Sequence, residues 1–185
     1  MSSIRVILDA CVLFPGSLRD VLLRGAKAKL YRVGLTDQIL EEMRRNLVEK
    51  GHVTEEKGQC LVSVIKEHFP SSFIADHMLL ISAMPINEKD RHVLAAAVAS
   101  GSRIIVTQNL KDFPQSLLMS FEIEALSADD FLVRCFSQDS GAMVNLMRSY
   151  VSDLKKPPLT MQETLEKLGK LVPNFVQLVR QENES

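Results

Sequence analysis

Apolar and polar positions follow two rhythms along this chain. Ile4-Arg5-Val6-Ile7-Leu8 is a β-branched and leucine run closed by Asp9, and Arg103-Ile104-Ile105-Val106-Thr107 is a second such run. Short continuous apolar runs predict strands buried on both faces, as in a parallel sheet. Between them the period is helical. After Pro15-Gly16-Ser17, with Ser17 as the expected cap, Leu18, Val21 and Leu22 predict a helix to about Lys29. Tyr31-Arg32-Val33-Gly34-Leu35-Thr36 predicts a second strand, and strand–helix–strand makes a right-handed crossover. Thr36 or Asp37 then caps a helix to about Lys50, with Ile39, Leu40, Met43 and Leu47 as its stripe. Residues 54–68 predict another helix, ended by Pro70.

The next span is loop-like to residue 89, except for Met78-Leu79-Leu80-Ile81, a short candidate strand. Asp90 caps an alanine-rich helix that stops at Gly101. Phe121-Glu122-Ile123-Glu124-Ala125 alternates as an edge strand does, and Ser127 caps a further helix. From about Gln138 the pattern is purely helical, divided by Lys155-Lys156-Pro157-Pro158, with Pro173 opening a last helix. The expectation is an α/β domain over 1–137 with a central, mainly parallel sheet, and a helical C-terminal extension over 138–185.

Composition narrows the classes. The 185 residues are 46% hydrophobic and 24% charged, which describes an ordinary globular chain. No apolar run approaches the roughly 20 residues that span a bilayer, and no leader-type core opens the chain, so the cytoplasm is expected. Cys11, Cys60 and Cys135 form no Cys-x-x-Cys pair, which argues against a disulfide framework and against structural zinc. His52, His68, His77 and His92 show no metalloprotease spacing, and most are expected at the surface. A net charge of −1 excludes a basic nucleic-acid coat, though not an enzyme whose metal supplies local positive charge.

The candidate chemistry is acidic. Asp9, Asn109 and Asp112 all follow the carboxyl ends of apolar strands, where ligands bind in open α/β sheets. At about 100° per residue, Glu42 lies nearer the stripe of its helix than Glu41 does, so it can look into a cleft. Asp90 opens the alanine helix, where simple capping would also account for it. Crowded carboxylates repel and raise one another's pKa, and a divalent cation relieves this. Oxygen ligands without His or Cys point to Mg²⁺ or Mn²⁺ rather than zinc. Such an ion activates water for in-line displacement at phosphorus.

Three stretches together resemble the PIN-domain nuclease family. Val6-Ile7-Leu8-Asp9-Ala10-Cys11-Val12-Leu13 is similar to its opening strand, with Cys11 where Asn or Ser is usual. Ile39-Leu40-Glu41-Glu42-Met43 with Leu47 is similar to its glutamate helix, Glu42 being the better match. Asp90-Arg91-His92-Val93-Leu94-Ala95-Ala96-Ala97, then Ile105-Val106-Thr107-Gln108-Asn109-Leu110-Lys111-Asp112-Phe113, resembles the VapC-like branch with Thr-x-Asn-x-x-Asp-Phe. The resemblance implies a three-layer α/β/α fold and a magnesium- or manganese-dependent endoribonuclease. It implies catalytic Asp9, Glu42, Asp90 and Asp112, of which Asp9, Asp90 and Asp112 hold metal, with Thr107 and Asn109 orienting ligands or substrate. It also implies an RNA substrate, a small antitoxin partner and a homodimer. Many members carry Asp at the Asn109 position, so a catalytically depleted binding module is the alternative. Arg19, Arg24 and Lys111 are candidates for flanking phosphates. A receiver-like or phosphatase domain is disfavoured because Cys11 breaks the Asp-x-Asp signature.

Overall fold

The computed structural model describes residues 4–155 and 158–184. Lys156 and Pro157, in the expected divider between tail helices, lie outside them.

Four strands form one sheet: β1 (Arg5–Leu8), β2 (Arg32–Gly34), β3 (Ile104–Val106) and β4 (Glu124–Leu126). Their order is β2-β1-β3-β4 and every pairing is parallel. The apolar runs sit in the two central strands: Val6, Ile7, Leu8, Ile105 and Val106 are wholly buried. Both faces of β1 and β3 are therefore covered, which is why their sequences do not alternate. The register sets Leu8 beside Val106. One residue further on, Asp9 and Thr107 leave the sheet side by side. The Asp9 amide donates to the Val106 carbonyl at 3.1 Å, and the Thr107 amide to the Leu126 carbonyl at 2.9 Å.

Helices cover the sheet in a three-layer α/β/α arrangement. They are α1 (Ala10–Leu13), α2 (Gly16–Lys27), α3 (Asp37–Glu49), α4 (Glu55–His68), α5 (Arg91–Ser100) and α6 (Gln115–Leu118). α5 lies across β1, β2 and β3, and its fully buried Ala95, Ala96 and Ala97 permit that close approach. Thr36 caps α3 by accepting the Ile39 N–H at 3.1 Å, and Gly101 ends α5 at φ 64°, where a left-handed residue is needed.

Three local expectations are corrected. The edge strand expected over residues 121–125 is β4, Glu124–Leu126, because Phe121 ends a 3-10 turn and Glu122 stands at φ 56°. α2 begins at Gly16, after Pro15, and Ser17 does not cap it. The Arg19 guanidinium instead turns back to the Leu13 carbonyl at 2.9 Å, tying the first turn of α2 to the end of α1. Met78–Ile81 is not a strand but part of a 3-10 segment, Asp76–Ala83, that packs on α5. Beyond the end of β2 the chain bridges instead through Leu35 and Phe73. Leu79, 87% exposed, lies outside the core altogether.

The tail forms α7 (Ala128–Gln138), α8 (Ser140–Asp153), α9 (Met161–Leu168) and α10 (Pro173–Glu184). Ser127 caps α7, and Thr160 with Glu163 makes a reciprocal capping box on α9. α8 packs on α2, and α10 packs on α7 and α8. The apolar core runs through without a break: Tyr31 meets Phe131 edge-on at 4.8 Å between centroids, and Phe136 meets Phe175. Asp129 accepts from the amides of Asn174 (3.1 Å) and Phe175 (2.9 Å) and from the Asn174 side chain (2.8 Å), sealing the start of α10.

Candidate active site

At the carboxyl end of the sheet, Asp9 is 6% exposed and Thr107 wholly buried. The Thr107 hydroxyl donates to Asp9 Oδ2 at 2.7 Å, and the Cys11 thiol donates to the same oxygen at 3.1 Å. Asp9 makes no capping bond to α1 although it stands at its N-cap. Its carboxylate is thus held by groups at the mouth rather than spent on the helix. Burial pushes the Asp9 pKa up, the bonds from Thr107 and Cys11 oppose this, and the nearby charge of Glu42 adds to the rise. The Cys11 thiol is pushed up to about 12, by burial first and then by the Asp9 charge. It is therefore a protonated donor at neutral pH rather than a thiolate ligand. Its sulfur also accepts the Gln108 amide at 3.2 Å.

Asp90 is 9% exposed and ends a short 3-10 turn, Glu88–Asp90, ahead of α5. The capping reading is corrected: its side chain makes no cap bond, and Oδ2 is buried without a hydrogen-bond partner among the described residues. Burial raises its pKa, Lys89 opposes this, and the charges of Asp112, Asp9 and Glu42 raise it further. Asp9, Glu42 and Asp112 are thus the acids whose charge reaches Asp90. Asp112 sits in the turn Leu110–Asp112, pinned by Phe113, which is 1% exposed.

Lys89 stands in this acidic mouth. Its ammonium lies 3.0 Å from Asp112 Oδ2 and 3.8 Å from Asp90 Oδ2. Among the described residues no three His, Cys, Asp or Glu side chains are already gathered as a metal cage. The donor set nevertheless fits a hard divalent cation, being carboxylate oxygen throughout, with the buried Asp90 Oδ2 lacking a donor. Glu42, on α3, has a side chain 35% exposed against 56% for Glu41, as the helical stripe predicts. Its Oε2 is 3.3 Å from His92 Nε2.

Asn109 is exposed, and only its backbone enters the network, its amide donating to Thr107 Oγ1 at 3.0 Å. Arg19 serves α1, Arg24 pairs with Asp153 at 2.8 Å, and Lys111 is exposed. Lys89 and His92 are the participants that sequence reasoning missed. Their adjacency to Asp90, at one residue before and two after, was the available signal. The expectation that most histidines are at the surface holds for His52 and His68. His77 is buried against Gln38, and His92 is half-buried.

Residues 128–181 match the family described as the VapC50 C-terminal domain. The match begins at the first residue of α7, before the boundary expected at 137/138. Over 101 residues the chain is 42% identical to the Mycobacterium tuberculosis protein named "Putative ribonuclease VapC50". That alignment covers 55% of this chain and 60% of that protein's length. No described helix is long and apolar enough to cross a membrane. The parallel sheet, the acid-lined mouth and the tail helices thus accompany a similarity to VapC50 that spans about three fifths of that protein's length.

Proposed function

We propose that this protein is a metal-dependent endoribonuclease that hydrolyses RNA phosphodiester bonds at the mouth formed by Asp9, Glu42, Asp90 and Asp112. The observation that carries this reading is the buried Asp90 Oδ2, without a hydrogen-bond partner among the described residues and facing the charges of Asp112, Asp9 and Glu42 with only the Lys89 ammonium, at 3.8 Å, to offset them. Such a cluster is unfavourable in isolation and favourable around a divalent cation. Asp9, Asp90 and Asp112 would hold Mg²⁺ or Mn²⁺. When bound, the ion supplies Lewis acidity toward water and toward the phosphate oxygens.

The chain's own groups do the rest. Thr107 and Cys11 fix the orientation of Asp9 through Oδ2. Glu42, half-exposed beside His92 Nε2, is the base able to accept the proton of the attacking water. The exposed Asn109 side chain is free to meet the scissile phosphate or a ribose hydroxyl. The relative's printed name, ribonuclease, supports RNA over DNA as the substrate. The resemblance of the motifs at Asp9, Glu42, Asp90 and residues 107–113 to the VapC-like branch supports a cytoplasmic toxin of a toxin–antitoxin pair that acts as a homodimer and is silenced by a small antitoxin.

The test is cleavage of structured and unstructured RNA with Mg²⁺, Mn²⁺ or chelator. Asp9→Asn and Asp90→Asn are expected to abolish metal-dependent cleavage while leaving a folded protein. Wild-type cutting by folded Asp9→Asn refutes the assignment. A second reading, a depleted RNA- or protein-binding module, is favoured by the Lys89–Asp112 ion pair, which neutralises part of the acid cluster. Calorimetric titration with Mn²⁺ separates the two, since a depleted site takes the ion poorly.

A further inference from the structure

At the amino end of the sheet, opposite the acids, lies a cavity of about 460 Å³. Its wall carries Arg5, Lys27, Lys29, Arg32 and His68 with Ser71 and Ser72, and no Asp or Glu is among the residues that line it. Among the described residues, Arg5, Lys27, Lys29 and Arg32 form no ion pair. In a chain of net charge −1, four permanent cations share one concavity without a counter-ion among the described residues.

The sheet register brings two of these cations together. Arg5 of β1 is paired directly with Arg32 of β2. Arg5 is further held in place by donating from Nη1 to the Ser100 carbonyl at 3.0 Å. Lys29 stands at φ 62°, a left-handed conformation that favours glycine at the end of a helix. A lysine there keeps an ammonium at the cavity wall at a backbone cost. The negative end of α2 accounts for Lys27 as a solvated dipole partner. It does not account for Arg5, Arg32 and Lys29 converging from three segments.

We propose that this basic cavity is a binding site for an oligophosphate group, the di- or triphosphate of a small ligand. Guanidinium forks match phosphate oxygens in pairs, and lysine adds point charge, so four cations suit a ligand of several negative charges rather than a single carboxylate. The site is distinct from the acidic mouth: β1 separates Arg5 from Asp9 by four residues, roughly 13 Å of extended chain. It needs no metal and does not depend on nuclease activity.

The test is calorimetric titration of the full chain with inorganic tripolyphosphate in metal-depleted, low-salt buffer. One saturable site is expected, weakening as salt screens the charges. Arg32→Gln is expected to weaken binding about tenfold, the loss of one charge-assisted phosphate contact. Lys29→Gly is expected to weaken it several-fold while thermal stability stays level or rises, which separates lost binding from lost folding. A nucleoside triphosphate run in parallel distinguishes the ligand source: tighter binding than tripolyphosphate assigns a nucleotide, equal binding a bare oligophosphate. The proposal is overturned if tripolyphosphate gives no saturation at millimolar concentration, or if both variants bind like wild type. It is also overturned if single-stranded RNA binds through these residues and tripolyphosphate does not.

Discussion

The hydroxyl of Thr107 reaches Oδ2 of Asp9 at 2.7 Å, joining the carboxyl ends of β1 and β3 in one buried contact. The same hydroxyl oxygen accepts the Asn109 amide at 3.0 Å, so a single side chain couples the Asp9 carboxylate to the loop that leads to Asp112. Thr107→Val removes the donor and the acceptor while keeping the shape. A cost of about 1–3 kcal/mol is expected, because a buried carboxylate and a backbone amide both lose a partner. Chemical denaturation measures it. Thr107→Ser, which retains the hydroxyl, is expected to recover most of the loss.

Asp9 is a stability liability at neutral pH in the absence of metal. Burial raises its pKa above the ordinary 3.8. Between 3.8 and the folded value the native state binds the proton more tightly than the unfolded chain. Stability therefore falls as pH rises through that window, and the cost persists above it. Asp9→Asn is expected to raise Tm in metal-free buffer at neutral pH, with the gain vanishing below pH 3.8. Thermal melts across pH check the sign. A destabilised variant at neutral pH contradicts the desolvation argument.

Lys89 competes for the oxygens that a cation would use. Its ammonium is 3.0 Å from Asp112 Oδ2 and its side chain is 62% exposed, so it can leave at little cost. Lys89→Met is expected to tighten Mn²⁺ binding a few-fold by calorimetry, since one cation no longer has to be displaced. Unchanged or weaker binding would show that the lysine stands clear of the metal position.

Asp129 holds α10 onto α7 through three accepted hydrogen bonds. Asp129→Ala is expected to cost about 2 kcal/mol, as loss of a charged helix cap does. The effect should be local: amide exchange rises at Phe175, Val176 and Val179 and stays unchanged in β1 and β3. Uniform loss of protection would mean that the tail and the sheet unfold as one unit.

Much of the site was legible because chain chemistry and sheet position coincide. The β-branched run Val6-Ile7-Leu8 forms a strand buried on both faces, so the acid that ends it emerges at the sheet's mouth. Helical phase likewise separated Glu42 from Glu41. Local signals failed where burial depends on what is already paired. Met78–Ile81 has strand-like composition, yet it lies in a 3-10 segment that packs on α5 rather than pairing with the sheet.

The amino-acid order alone determined that this is a parallel α/β domain with a helical tail, and which acids stand at strand and helix ends. Only tertiary structure decided their partners. Register put Thr107 on Asp9 and Arg5 beside Arg32, and chain packing put Lys89 between Asp90 and Asp112. The reason is that hydrophobic period is a property of neighbours along the chain, while charge pairing depends on distances in space between residues far apart in sequence.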